Sequence, residues 1–550
     1  MTNPSPTKDW RAAVANKRKD LDARIPPEWR LSESFLSSLP NPRHLLSSDA
    51  VKNSGVLTPA ELNITEAYSV AQLQQHLAQG TLRSVEVTTA FCKRAAVAQQ
   101  LTSCLTEHFF NRALQRAKYL DNYLQREKKV VGPLHGVPIS LKDSFLVKGY
   151  QSTIGYVSFL EHEPATSNSA LMDMLLDLGA VLCVKTNIPQ TMMTGDSDNN
   201  IYGRTLNPHN TDLTAGGSSG GEGALVALRG SILGVGTDAA GSIRIPALCC
   251  GVYGFKPTAA RVPYGGQASG EAEGVPGLVA SAGPLAQTLN DLELFMSTVI
   301  DAEPWRYDDS ATGAPWSRAH KPDTSVLKIG IFAEDEHFPL HPPVKRAINS
   351  AVEALSKKGH QIIYLDNNTN KDLDLAYANR LGFQHFIYAP HTDHITPSGE
   401  PTVPSVAKAS SPMFTGPFPV PMETEILEKI KALHAAKRKY RDAWRKVWVE
   451  TGIDVILAPG AQNTAVQHDT YGWPPYTLVW NLLDYPACII PYGKASKDLD
   501  PEPMDVKDDM QPSYIPTATD GAPCAIQIIS PQFHDEKCLA AARIIDEDLR

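Results

Sequence analysis

Residues 133–142 read Pro-Leu-His-Gly-Val-Pro-Ile-Ser-Leu-Lys. The run is short, apolar and punctuated by glycine and proline, the pattern of a buried strand, and it ends in a lysine. Downstream, the spacing predicts a helix over about Ser169–Leu178, then a second buried strand, Ala180-Val181-Leu182-Cys183-Val184. Upstream, Ser69 is placed to cap a helix carrying Val70, Leu73 and Leu77, which Gly80 would end. Ser84 opens a second helix, and a third covers about Asn111–Lys128. Strands alternating with helices are the mark of an α/β protein.

The pattern resumes late in the chain. Leu327–Phe332 reads as a strand and Val344–Lys358 as a helix stopped by Gly359. Glu425–Val449 reads as a long basic helix with Thr424 at its cap. Val455–Pro459, Ala487–Pro491 and Ala522–Ile529 read as strands, and Asp535–Leu549 as a last helix. Residues 259–284 are glycine-rich enough to form a loop over a site. Residues 301–325 form a turn-rich boundary, and residues 399–422 are Pro-rich and irregular. Residues 1–60 are charged and weakly periodic, and read as an arm on the surface. No internal repeat is visible.

Composition narrows the function classes. The chain has 550 residues, 42% of them hydrophobic and 20% charged, ordinary values for a globular protein. At roughly 100–200 residues per domain, length alone allows three or four domains. No stretch of 18 apolar residues suggests a membrane-spanning helix. The net charge of −9 disfavours nucleic acid and anionic membranes as partners. Met1–Trp29 lacks the apolar core of a secretory leader, so a cytoplasmic location is expected. The eight cysteines form no CxxC pair and read as buried free thiols. Cys104/His108 and His534/Cys538 have ligand-like spacing but are isolated, so no metal site is expected.

Chemistry concentrates in three segments. Lys142 ends the first strand, where burial would push an ammonium toward neutrality and make it a base; the plain alternative is a lysine paired with Asp143. The second segment is Ala215-Gly216-Gly217-Ser218-Ser219-Gly220-Gly221-Glu222-Gly223. It lacks the Lys-Ser/Thr of a phosphate loop. Gly216–Gly220 matches G-x-S-x-G, the nucleophile elbow of α/β-hydrolases, but that motif alone is weak, and His468 and His534 downstream supply no clear partner. The third is Gly236-Thr237-Asp238-Ala239-Ala240-Gly241-Ser242-Ile243-Arg244-Ile245-Pro246. Its small residues let backbone N–H groups approach a reacting oxygen, and Asp238 and Arg244 can pair to hold the loop.

Together these segments resemble the amidase signature family, whose glycine–serine block followed by G-S-[IV]-R-x-P stands here as GGSSGGEGALVALRGSILGVGTDAAGSIRIP. The likeness also takes in PLHGVPISLKD, KTNIPQTM, GFKPT, GPLA and GAPCAIQII, and is strongest to the fungal acetamidase branch. It implies an α/β/α sandwich with a large mixed central sheet covered by helices. Residues 61–550 would form one domain, with an irregular peripheral subregion at about 320–450 and the arm of residues 1–60 wrapped on it.

The resemblance further implies a serine amidohydrolase working without cofactor or metal on a small-molecule amide, with a homodimer left open. Ser242 would be the nucleophile, Ser218 the bridging serine after a cis Gly217–Ser218 peptide, and Lys142 the base. The N–H groups of Ala239, Ala240, Gly241 and Ser242 would form the oxyanion hole, and Gly217, Ser219, Asp238 and Arg244 would support it. Many members have glycine where Ala240 stands, so a positive φ at 240 is not expected here. Met192 and Met193 would border the acyl pocket, with Trp473, Tyr476 and Trp480 either narrowing it or covering the core. The alternatives are a same-triad hydrolase for carbamates, esters or N-acyl amines, a glutamine-dependent amidotransferase subunit, and a non-catalytic binding module.

Overall fold

A computed structural model describes residues 9–270, 274, 277–318, 326–365, 370–388, 392–409, 417–506 and 511–550. Parts of three expected irregular stretches (271–273 and 275–276, 319–325, 410–416) lie outside the described residues. The strands are β1 Leu105–His108, β2 Pro138–Lys142, β3 Val181–Thr186, β4 Leu233–Asp238, β5 Tyr253–Lys256, β6 Ser281–Ala286, β7 Lys328–Ile331, β8 Gln361–Tyr364, β9 Val455–Pro459, β10 Ala487–Lys494 and β11 Pro523–Ile529. They form one 11-stranded sheet in the order β1-β3-β2-β4-β6-β5-β10-β11-β9-β7-β8. The sheet is mixed. β2 runs parallel to β3 and β4, β7 runs parallel to β8 and β9, and the pairs between these two groups are antiparallel.

Alternate strand residues enter opposite cores, as period-two side chains must. Ile139, Leu141, Leu182, Cys488, Ile490, Ile526 and Ile528 join one core, beneath helices Val70–Gln79, Leu289–Asp301, Pro342–Lys357 and Asp535–Leu549. Val181, Cys183, Ile489 and Ala525 join another, beneath helices Ser84–Thr102, Phe110–Glu127, Gly220–Ala227 and Arg244–Cys250. A third core packs helices Leu375–Ile387, Ile426–Thr451 and Pro475–Leu483 on Ile456, Ala458 and Ile529. The result is the expected α/β/α sandwich. All eight cysteines are buried free thiols.

The predicted caps hold in part. Ser69 accepts from Gln72 N at 3.3 Å, and Gly80 ends that helix at φ 71°. Ser84 is the first helical residue rather than the cap, which is Arg83. The long helix is capped by Glu425, not Thr424, because the Glu425 carboxylate accepts from Leu427 N and Glu428 N. Within residues 1–60, helix Trp10–Ala23 is tied to β1. Lys17 and Arg24 both pair with Glu107, which is buried on that strand, and Arg24 does so at 2.8 Å.

Candidate active site

Lys142 is the last residue of β2, flanked by β3 and β4, and it is 1% exposed. Its Nζ donates to Ser218 Oγ at 2.7 Å and to Thr237 Oγ1 at 2.7 Å. Burial lowers its pKa to about 7, against the opposing pull of Asp238 and Glu222. The pairing with Asp143 does not form. Asp143 instead meets the buried Lys185 at 3.1 Å and accepts from Thr106 Oγ1 and Ile154 N. Glu222, on helix Gly220–Ala227, accepts from Ser140 Oγ at 2.5 Å and Thr186 Oγ1 at 2.8 Å, and burial pushes its pKa up to about 8.

The glycine block turns sharply into that helix. The Gly217–Ser218 peptide is cis. A Cβ on Gly217 would lie 2.2 Å from Thr194 O, so no larger residue fits. Ser197 Oγ pins the turn, donating to Gly216 O at 2.9 Å and accepting from Gly220 N at 3.1 Å. Ser219 ties the block to the third segment through its N–H to Ser242 O at 3.1 Å.

That third segment is held by one buried ion pair. Asp238 Oδ1 accepts from Gly241 N at 2.8 Å and Asn481 Nδ2 at 2.9 Å. Arg244 reaches the same carboxylate through Nε at 3.0 Å and Nη2 at 2.9 Å. Its remaining N–H groups go to Thr477 O, Gln527 Oε1 and Asn481 Oδ1, so every donor of the guanidinium is used. Burial alone would raise the Asp238 pKa, but the Arg244 charge and hydrogen bonds hold it well below the usual carboxylate range. Positive φ falls on Gly241, at 133°, and not on Ala240, whose carbonyl accepts from Thr477 Oγ1 at 2.6 Å. Because Gly241 N–H is directed at Asp238, it is committed away from an oxyanion. The N–H groups of Ala239, Ala240 and Ser242 are the remaining candidates.

A cavity of about 160 Å³ brings Lys142, Gly217, Ser218, Ala239, Ala240 and Ser242 together. Met192 and Met193 both line it, Met193 half-exposed. Of the three aromatic residues, only Trp473 lines the cavity. The Tyr476 hydroxyl donates to Phe338 O at 2.8 Å and accepts from Asp335 N, and Trp480 packs on Phe332 and Trp444. Among the described residues no histidine lines the cavity. His468 instead lies 3.7 Å from Asp196 with its other nitrogen on Thr211 O. Sequence reasoning missed Thr237, Glu222, Tyr264 and Thr477. Of these, only Thr237 carried a signal, a hydroxyl next to Asp238 in the third segment.

Comparison with known proteins places the chain in a family and a fold. The Amidase family profile matches residues 86–539. An amidase of Gibberella moniliformis is 42% identical over 543 residues, covering 98% of this chain and 99% of the relative. An acetamidase of Emericella nidulans is 39% identical, covering 97% of each chain. Among solved structures, a fatty acid amide hydrolase is 31% identical with a TM-score of 0.87, covering 99% of this chain and 95% of that one. A central sheet that presents a buried lysine to the glycine–serine block, with a family match over most of the length, has one reading: the chain belongs to the amidase signature family and is an amidase.

Proposed function

We propose that the protein hydrolyses a small aliphatic or aryl carboxylic amide to the acid and ammonia or amine, through an acyl-enzyme on Ser242. One observation carries the reading. The buried Lys142 amine, whose pKa lies at about 7, sits 2.7 Å from Ser218 Oγ in a cavity that Ser242 also lines. Neutral Lys142 takes the Ser218 proton while Ser218 takes the Ser242 proton, and Ser242 Oγ attacks the carbonyl carbon. The N–H groups of Ala239, Ala240 and Ser242 receive the oxyanion. On collapse the C–N bond breaks and Ser218 protonates the departing nitrogen, itself resupplied by the Lys142 ammonium. A water deprotonated along the same route then cleaves the ester and releases the acid.

The cavity supports a small acyl group. Its volume of about 160 Å³ is close to that of an engineered apolar cavity that holds benzene, and Met192, Ile245 and Trp473 give it apolar walls. The acetamidase name of a relative points the same way. The reading keeps a cytoplasmic location and treats residues 1–60 as an arm on a single domain of residues 61–550, with a peripheral subregion at about 320–450.

The test is a substrate panel with active-site labelling. The purified chain should release ammonia from acetamide or benzamide. A fluorophosphonate probe should label Ser242, and Ser242→Ala should abolish labelling. Cleavage of esters without any amide, or labelling at Ser218 with Ser242 unmodified, would overturn the reading.

A further inference from the structure

Lys142 Nζ has two hydroxyl neighbours at the same 2.7 Å, and the proposed reaction uses only one. Thr237 is the other. It lies in β4, which runs parallel beside β2 with Leu141 opposite Val235, so β4 delivers Thr237 to the end of β2 where Lys142 stands. It is 6% exposed and lines the cavity. Thr237 is itself hydrogen-bonded to the Tyr264 hydroxyl, which also lines the cavity, and the charged groups facing the amine are Asp238 from the end of β4 and Glu222 from helix Gly220–Ala227. Neither hydrogen-bonds it, since Asp238 is taken up by Arg244, Asn481 and Gly241, and Glu222 by Ser140 and Thr186. Its hydrogen-bonded neighbours are therefore neutral hydroxyls.

The donor count then separates the two neighbours. An ammonium only donates, so in the charged state both Ser218 and Thr237 accept from it. A neutral amine keeps two N–H groups and gains one lone pair, so one contact can invert. Proton abstraction requires that the inverted contact be the one to Ser218. We infer that Thr237 is a positioning residue for the base: by continuing to accept an N–H from Lys142 in both charge states, it turns the lone pair onto the Ser218 hydroxyl. This inference rests on the proposed Lys142–Ser218 relay and adds to it a rule for which way the relay points.

The test compares Thr237→Val, which keeps the side-chain shape and removes the acceptor, with Thr237→Ser, which keeps the hydroxyl. With a small amide, Thr237→Val should lower kcat by about tenfold to a hundredfold, a share of what an oriented base supplies, with KM changed far less. An acceptor stabilises the ammonium more than the amine, so losing it should also move the rising limb of the pH–rate profile to lower pH. Thr237→Ser should restore both the plateau and the limb. A structural defect lowers the plateau without moving the limb, so an unmoved limb in Thr237→Val overturns the inference, as does a kcat within twofold of the parent. If Thr237→Val does not fold, the pH dependence of fluorophosphonate labelling of Thr237→Ala decides by the same two criteria. Failure of the underlying relay is distinguishable, since then the parent protein would show no pH-dependent labelling at Ser242.

Discussion

The sharpest prediction concerns pH. An ordinary lysine, with a pKa near 10.4, is roughly 0.04% neutral at pH 7. With its pKa lowered to about 7, Lys142 is about half neutral at that pH, roughly a thousandfold gain in competent base. The same titration makes the neutral fraction about one-tenth at pH 6 and about one-hundredth at pH 5. The profile of kcat/KM for a small neutral amide should therefore rise tenfold per pH unit below 6, bend near 7 and level above 8. Stability shares the sign. Between pH 7 and 10 the unfolded chain binds a proton that the folded Lys142 does not, so this group makes the fold more stable as pH rises.

A second variant tests the cause. Glu222 is buried and its negative charge, when present, favours the Lys142 ammonium. Glu222→Gln keeps polar atoms for Ser140 and Thr186 and removes that charge; because burial holds Glu222 mostly protonated below pH 7, the limb below pH 7 should stay nearly in place and only the bend above it should move, to lower pH. The assay is ammonia release over pH 5–9, with denaturant melts at each pH to exclude unfolding. A flat profile, or a midpoint near 10, would refute the lysine base. A bend that moves to higher pH in Glu222→Gln would refute the electrostatic account.

Two further outcomes follow from the packing. At Gly241, φ is 133° and a Cβ would lie 2.4 Å from Thr477 Oγ1, so Gly241→Ala should displace the segment that carries Ser242, the proposed nucleophile, and lower kcat about a hundredfold, the scale of losing an oxyanion donor, as read by steady-state ammonia release. At the arm, replacing Lys17 and Arg24 with methionine leaves Glu107 buried without its partners, which should cost about 3–5 kcal/mol in a urea melt; adding Glu107→Gln should recover much of the loss.

What could be read in advance divides along a physical line. Strands β2, β3, β7, β9, β10 and β11 were legible because each is a short run whose apolar character is local, whereas β1, β4, β5, β6 and β8, which are short or rich in glycine and polar residues, were not legible as strands. Lys142 was legible for the same reason, as a charge at the end of such a run. Ser218 and Ser242 stood in glycine-rich strings that permit several chemistries, and it was the family resemblance carried by the joint pattern with Lys142 that pointed to one. What stayed hidden is pairwise and distant. Arg244 meets Asp238 six residues away, a pairing the local sequence suggests, but its other donors go to Asn481, Thr477 and Gln527, which come from the helix Pro475–Leu483 and from β11, more than two hundred residues away. No local pattern reports such a meeting.

The aromatic residues make the distinction concrete. Trp473, Tyr476 and Trp480 look like one cluster by spacing, yet they separate at Pro474. Tyr476 and Trp480 stand four apart on helix Pro475–Leu483 and share its core-facing side, whereas Trp473 precedes the helix and turns to the cavity. A helix that starts two residues after Trp473 decides which ring faces the cavity. Thr237 is the stricter case. In sequence it is a threonine beside Asp238 in a glycine-rich segment, a residue type ordinary in strands. Only the parallel pairing of β2 with β4 gives its hydroxyl a lysine to hold. The chemistry of this site is therefore written in two layers: residue types that announce the reaction, and strand register that aims it.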